Sequence, residues 1–143
     1  MTGIKNRIGN ACFLACLESF LQDFSIKVTQ EEMVKKLLAK NLCSDDGVVY
    51  IGKERDVCKN FGILFDDIKT QFPVPEINER ESILITTHKE QKFHCMRFFK
   101  NLTDEEKIIV MDPDFEGNSN LRYMDKKDFF DQDCKLHKIC LDK

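Results

Sequence analysis

The chain has 143 residues, 42% of them hydrophobic, which suits one globular domain with an ordinary apolar core. Its formal net charge is −3 and the two signs are interspersed, which argues against a nucleic-acid partner because proteins that bind nucleic acid usually carry a basic face. No apolar run approaches the ~18 residues of a membrane helix, and the N-terminus lacks the apolar core of a signal peptide. Seven cysteines without a secretory signal predict reduced thiols in a cytoplasmic protein, although an effector exported by a non-Sec route would share these features.

The first half of the chain carries helix patterns. Apolar residues at helical spacing over 12–23 predict a first helix. Thr29 and Glu32 form a capping box, so a second helix is predicted to follow as far as about residue 40. A third helix is predicted over about 51–60.

The second half carries strand patterns. Short apolar and β-branched runs alternate with polar turns, which is typical of an antiparallel sheet built from hairpins. The predicted strands lie over 63–65, 82–87, 93–99, 107–112, 121–124 and 135–141. Asp125 is placed to cap a short helix that reaches about residue 130. The order predicts one α+β domain over 1–143, with N-terminal helices packed on a C-terminal antiparallel β-sheet.

Cys12 stands where the first predicted helix begins. At that point of a helix, the free backbone N–H groups and the positive end of the helix dipole stabilise an anion. A thiol at such a position is generally more acidic than a free one, which makes it a better nucleophile at neutral pH. Cysteines are also common in protein cores, and Cys16, one turn further on, is predicted to be a core residue.

A thiolate nucleophile requires a general base and a group that orients this base. His94 is the candidate base because it begins a predicted strand, whereas His88 lies in a predicted turn and His137 lies near the C-terminus. Asp112 ends the next predicted strand. Neighbouring antiparallel strands place the start of one beside the end of the next. Asp112 is therefore predicted to accept a hydrogen bond from His94.

The negative oxygen that develops during acyl transfer also needs hydrogen-bond donors. The backbone N–H of Cys12 is one candidate, and the side chain of Asn6, six residues upstream, is the other. Loss of one such donor typically slows a reaction by ~10²–10³. The sequence therefore predicts a site at which a thiol attacks a carbonyl or carboxamide carbon.

The order of Cys12, His94 and Asp112-Pro113 resembles that of papain-like cysteine peptidases. It is most similar to the double-glycine-leader peptidase domain fused to bacteriocin-exporting ABC transporters, and to its stand-alone relatives. That family begins with a Gln, five residues and a Cys, and a second Cys often follows four positions on, where this chain has Cys16. The resemblance covers nearly the whole chain. It implies a papain-like fold, a bacterial thiol protease with a Cys-His-Asp triad, and a peptide or protein substrate.

Two positions depart from the family pattern. The family's Gln falls on Asn6, and the Gly after the nucleophile is replaced by Phe13, which is expected to place bulk beside Cys12. Papain-like domains of this size also include glutamine deamidases and acyl-transfer effectors. The predicted function is therefore hydrolysis of a peptide bond or of a glutamine side-chain amide. The alternative is a catalytically weak or inactive module that docks a peptide or a partner protein. Both are compatible with an exporter or a secretion system as a partner.

A zinc site is a further alternative. Cys134, His137 and Cys140 have the spacing of metal ligands, and His94 with Cys95 could add to them. Structural zinc sites usually contain paired Cys-x₂₋₄-Cys knuckles, and the sequence offers no second knuckle here. No metal and no cofactor is therefore expected.

Overall fold

The computed structural model describes residues 3–88, 93–115 and 120–142. Its helices lie over Cys12–Gln22 (α1), Gln30–Leu38 (α2), Glu54–Lys59 (α3) and Lys126–Asp131 (α4). Its strands lie over Ile63–Ile68 (β1), Glu81–Thr87 (β2), His94–Leu102 (β3), Lys107–Met111 (β4), Leu121–Asp125 (β5) and Lys135–Leu141 (β6), with a 3-10 helix at Thr103–Glu105. Every predicted helix and strand is present, which confirms the α+β prediction. None of the described helices has the length and apolarity needed to cross a membrane.

The six strands form one sheet in the order β1-β6-β2-β3-β4-β5, and every neighbouring pair is antiparallel. The last strand in the chain, β6, therefore lies between β1 and β2. β3 and β4 pair with Arg97 opposite Met111. His94 begins β3 and Asp112 directly follows β4, so this pairing brings the two residues to the same end of the sheet.

Helix α1 is buried along nearly its whole length. All ten residues over 12–21 are buried, including the polar Glu18 and Ser19. A helix that is buried all round must be covered on every side. β3 contacts α1 on one side, and buried residues of α2 and of the 42–49 loop belong to the same core cluster. The start of α1 is thus held between the sheet and the helical layer.

Arg97 of β3 ties α1 to the sheet. Its guanidinium donates hydrogen bonds to Ser19 Oγ in α1 (2.9 Å) and to Ser82 Oγ in β2 (2.8 Å). It also donates to the carboxylate of Asp23, the residue after α1, at 2.5 Å, and lies over the ring of Phe20. Only 7% of the Arg97 side chain is exposed. Because α1 and β3 carry two of the predicted catalytic residues, this buried network fixes their relative position.

The segment before α1 is irregular but anchored. Gln30, which is fully buried at the start of α2, donates to the carbonyl oxygen of Lys5 (2.7 Å) and accepts from the backbone N–H of Arg7 (3.0 Å). Between these two residues, the backbone N–H of Asn6 donates to the carbonyl oxygen of Pro113 (3.0 Å). Asn6 is therefore held between α2 and the loop that follows β4.

A close backbone contact sets the start of α1. Gly47 has a left-handed conformation with φ of 87°, and a Cβ added to it would lie 2.5 Å from the Cβ of Ala11. Glycine is therefore required on both conformational and steric grounds. The neighbouring Asp46 accepts hydrogen bonds from the backbone N–H (3.1 Å) and the side chain (2.9 Å) of Asn10. This loop thus holds the two residues that precede the predicted nucleophile.

Candidate active site

Cys12 is the first residue of α1 and is 6% exposed. Within the described part of the chain, no side chain caps this helix start at Ala11. Cys12 lines a cavity of about 230 Å³, and His94 lines the same cavity from the start of β3. The structure therefore brings the predicted nucleophile and the predicted base to one place, at the meeting of α1 and the sheet.

Asp112 lies behind His94. Its Oδ1 is 2.6 Å from His94 Nε2 and accepts the backbone N–H of Asp114 at 3.0 Å. Its Oδ2 accepts a hydrogen bond from Arg122 Nε at 2.7 Å. Burial raises the pKa of the Asp112 carboxyl, but the hydrogen bond and charge of His94, with the hydrogen bonds from Arg122 and the Asp114 backbone, outweigh it and lower the pKa to about 2. The carboxylate is thus ionised and fixed in its orientation towards the imidazole.

The imidazole of His94 favours its protonated form. Burial lowers its pKa, but hydrogen bonds and charge interactions with Asp112 and Cys12 outweigh this effect and raise the pKa to about 10. Because Nε2 is bonded to Asp112, Nδ1 is the ring nitrogen that remains for the thiol. The ring therefore lies between a carboxylate and a sulfur, where it can exchange a proton with the sulfur.

Asn6 lines the cavity with Cys12, as an oxyanion donor would, but its amide is occupied. Asn6 Oδ1 accepts the backbone N–H of Ala11 at 3.1 Å. Asn6 Nδ2 donates to the carbonyl oxygen of Gly9 at 2.9 Å and to Asp114 Oδ1 at 3.1 Å. Both amide hydrogens thus have protein acceptors, so the oxyanion role of Asn6 stays a prediction that requires the release of one of them.

Phe13 lies at the cavity wall beside Cys12, as its position next to the nucleophile led us to expect. It contributes to the cavity wall, yet it is only 1% exposed and its ring packs against Phe65, with 6.2 Å between ring centroids. The side chain therefore fills the core between α1 and β1. The cavity remains open beside the sulfur, with Val48 and Val49 among its other lining residues.

The remaining histidines lie together and line a different cavity from the one that Cys12 lines. Both His88 Nε2 and His137 Nε2 bond to Thr86 Oγ1, at 3.1 and 2.7 Å, and His137 Nδ1 bonds to Asp67 at 2.6 Å. Burial lowers the pKa of His137 in spite of the hydrogen bond that its ring donates to Asp67. These rings are satisfied by side chains of the sheet rather than by a thiol.

The residues whose spacing suggested a zinc site, Cys134, His137 and Cys140, do not form a group close enough to bind one ion. Among residues 3–88, 93–115 and 120–142, the three-donor group close enough for one ion consists of His94, Asp112 and Asp114, and it includes no cysteine. All seven cysteines are free thiols. The zinc alternative built on Cys134 and Cys140 is therefore not supported.

Sequence reasoning missed two residues of the site. Arg122 reaches Asp112 because β5 pairs with β4, with Val110 opposite Arg122. Asp114 reaches both Asn6 and the imidazole from the loop after β4. The signal for Asp114 was its place two residues after Asp112. The signal for Arg122 was the hairpin between the predicted strands over 107–112 and 121–124.

Two solved peptidase domains are similar to this chain. The peptidase domain of Streptococcus ComA, a bi-functional ABC transporter involved in a quorum sensing pathway, matches with a TM-score of 0.70 at 15% sequence identity over 98% of both chains. The peptidase domain of Streptococcus mutans ComA matches with a TM-score of 0.56 at 15% identity, over 96% of this chain and 97% of that one. No protein-family model matches the sequence, and the search of curated proteins gave no significant match.

The chain has a papain-like peptidase fold. The predicted resemblance to the peptidase domains of ABC exporters is thereby confirmed at the level of the fold, over nearly the full length of both chains. An identity of 15% carries no statement about activity. The functional argument therefore depends on the residues of the site itself.

Proposed function

We propose that this protein is a papain-like cysteine peptidase in which Cys12 is the nucleophile, His94 the general base and acid, and Asp112 the residue that orients the imidazole. The observation that supports the proposal most is the cavity shared by Cys12 at a helix start and His94, whose ring is bonded to Asp112 at 2.6 Å. A thiol is activated by a helix N-terminus that stabilises the thiolate and by an imidazole base that a carboxylate holds in place.

In the proposed cycle, His94 takes the proton of the Cys12 thiol and the sulfur attacks the carbonyl carbon of the substrate. The carbonyl electron pair moves to oxygen, where the backbone N–H of Cys12 and the amide of Asn6 stabilise the negative charge. The intermediate collapses to a thioester, and the leaving amine takes its proton from His94. Water then attacks the thioester while His94 accepts a water proton, which releases the acid and restores the thiol.

The substrate class is a peptide bond in a peptide or protein. A glutamine side-chain amide is the second candidate, because its carboxamide carbon undergoes the same attack and releases ammonia. The neighbours of known structure are peptidase domains, which favours the peptide bond. Since the ComA domain belongs to an ABC transporter, an exporter is the partner that we propose for this chain.

The nucleophile is tested by alkylation with iodoacetamide at mildly acidic pH, followed by peptide mass mapping. Burial raises the pKa of the Cys43 and Cys58 thiols, so both are expected to stay unmodified. Cys140 is more exposed than Cys12 and is the control for access alone. We expect Cys12 to react first, and expect His94→Ala to abolish its lead. Faster reaction of Cys140 than of Cys12 would overturn the assignment.

The docking alternative is tested separately. Its support is the occupied amide of Asn6, because a site that never releases its oxyanion donor would bind a peptide without cleaving it. Incubation with peptide and protein substrates, read by mass spectrometry, distinguishes chain cleavage from deamidation. Substrate binding that survives Cys12→Ala, combined with unchanged substrate masses for the unmodified protein, would favour the docking module over the peptidase.

A further inference from the structure

A second carboxylate lies at the ring of His94. Asp114 Oδ2 is 3.5 Å from His94 Nδ1, and Asp114 Oδ1 accepts a hydrogen bond from Asn6 Nδ2 at 3.1 Å. The backbone N–H of Asp114 donates to Asp112 Oδ1 at 3.0 Å, which fixes the position of the residue. One carboxylate therefore spans the predicted base and the predicted oxyanion donor.

This contact competes with the proposed reaction at two points. The ring has only Nδ1 left for the thiol, because Nε2 is bonded to Asp112 at 2.6 Å, and Asp114 lies at that remaining nitrogen. The amide of Asn6 has one hydrogen on the carbonyl oxygen of Gly9 at 2.9 Å, so its second hydrogen is the one that Asp114 holds. A substrate carbonyl oxygen needs that second hydrogen.

We propose that Asp114 is a positioning residue: in the unliganded site its carboxylate takes the place of the substrate oxyanion, and a bound substrate displaces it from Asn6. The inference rests on the proposed function, since an oxyanion forms only if Cys12 attacks a carbonyl carbon. Displacement is feasible because 54% of the Asp114 side chain is exposed, so water can solvate the released carboxylate.

The charge of Asp114 also acts on the proton transfer. Among the described residues, four charged or titratable groups bear on His94: Asp112 at Nε2, Arg122 behind Asp112, Asp114 at Nδ1, and Cys12 from α1. A negative charge at Nδ1 stabilises the imidazolium and disfavours a thiolate beside it. The charge of Asp114 therefore opposes a negative charge on Cys12, while its contact at Nδ1 holds the ring in place.

Two variants separate these effects. Asp114→Asn removes the charge but keeps an oxygen that can accept from Asn6, whereas Asp114→Ala removes both. The pH dependence of the rate at which iodoacetamide alkylates Cys12 reports the charge, and it needs no knowledge of the substrate. We expect both variants to move the acid limb to lower pH by about 0.2–0.7 unit, the range for a half-exposed charge pair. Asp66 is an exposed carboxylate on β1, so Asp66→Asn is the control for net charge and should leave the acid limb unchanged.

The position that the substrate oxyanion would occupy is probed with N-acetylglycinal, an aldehyde without a side chain. The Cys12 thiol adds reversibly to its carbonyl carbon, a C–S bond forms, and the oxygen of the adduct takes the oxyanion position and the thiol proton. Affinity is measured as protection of Cys12 from alkylation. We expect Asp114→Ala to bind the aldehyde about 2–10-fold more tightly, the value of one released hydrogen-bond donor. Asp114→Asn should bind less tightly than Asp114→Ala.

The possible results are distinct. Acid limbs that coincide with that of the unmodified protein, or weaker aldehyde binding by Asp114→Ala, would overturn the role of Asp114 while leaving a selectively alkylated Cys12 in place. If Cys12 of the unmodified protein is not alkylated in preference to Cys140, the proposed function fails and this inference fails with it. Circular dichroism of each variant checks that the fold is retained.

Discussion

Replacing Arg97 by Met should destabilise the fold more than any surface substitution. The guanidinium makes three charge-assisted hydrogen bonds, to Ser82, Ser19 and Asp23, and its side chain is 7% exposed. Each bond of this kind contributes about 1.5–3 kcal/mol, and breaking a buried pair costs about 3–5 kcal/mol. The Asp23 side chain is 27% exposed, so water can solvate its carboxylate when Arg97 is removed. We therefore expect the free energy of unfolding to fall by about 3–4 kcal/mol.

The free energy of unfolding is measured by urea titration, followed by far-ultraviolet circular dichroism because the chain has no Trp. A loss of this size is a large part of the roughly 5–15 kcal/mol by which a typical domain is stable, so Arg97→Met could unfold the protein. Arg97→Lys is therefore measured beside it as a less disruptive variant. Lysine keeps the charge but loses the planar fork, so a loss of about 1–2 kcal/mol is expected. The matched control is Arg55→Met, since Arg55 is 66% exposed and lies 4.0 Å from its partner Asp66.

Comparable stabilities for Arg97→Met and Arg55→Met would refute the view that the buried network joins α1 to the sheet. The network also predicts a functional consequence. Because it fixes α1 on β3, Arg97→Lys should slow the alkylation of Cys12 even at urea concentrations where the variant is fully folded. An unchanged alkylation rate would mean that Cys12 and His94 are positioned by other contacts.

Three further predictions concern other contacts of the structure. Arg122→Gln should raise the pKa of Asp112 from about 2, visible in a carbon NMR titration of the carboxyl group, and should lower the free energy of unfolding by about 1–2 kcal/mol because a charge-assisted hydrogen bond is lost. Thr29→Ala should destabilise the protein by about 1 kcal/mol in urea, since the cap that accepts from the N–H of Glu32 is removed. Asp112 should stabilise the fold at pH values above its ordinary pKa of 3.8, and this contribution should be lost as the pH falls towards its pKa of about 2 in the folded protein. His94 should stabilise the fold fully at pH values below its ordinary pKa of 6.5, and this contribution should be lost as the pH rises through its pKa of about 10 in the folded protein.

Each of these expectations has its own control. Arg122→Lys keeps a positive charge near the carboxylate and should shift the Asp112 titration less than Arg122→Gln does. Thr29→Ser keeps the capping hydroxyl and should recover most of the lost stability. Asp112→Asn should flatten the acid side of the stability profile between pH 4 and 2. A steep acid limb in Asp112→Asn would assign it to other carboxylates.

Local sequence signals were sufficient for most elements of the fold. The capping box at Thr29 is present, and Asp125 caps α4 by accepting the N–H of Asp128 at 2.8 Å. The third helix begins at Glu54 rather than near residue 51, because Gly52 adopts a φ of 84° that interrupts a helix. The first strand extends beyond its predicted end because it pairs with β6 as far as Ile68. The residue pattern of one strand alone carries no information about such pairing.

The candidate site was predictable in part for the same reason. Antiparallel neighbours bring His94 and Asp112 together, and that rule needs only the strand order along the chain. The contact between Asn6 and Asp114 joins residues 108 positions apart and depends on how the segment before α1 lies against the loop after β4. No local pattern encodes such a contact. The structure places Asn6 at the cavity that Cys12 lines, whereas the hydrogen bonds that occupy its amide were not foreseen.

The place of β6 in the sheet also constrains how the protein is made. β6 is the last of the six described strands to be synthesised, yet it supplies the partner for both β1 and β2. Until it arrives, the two strands that should flank it present unpaired backbone groups, which are prone to pair with other chains. The sheet can therefore be completed only once residues 135–141 have been synthesised, and a nascent chain that stalls before residue 135 would leave β1 and β2 without their shared partner.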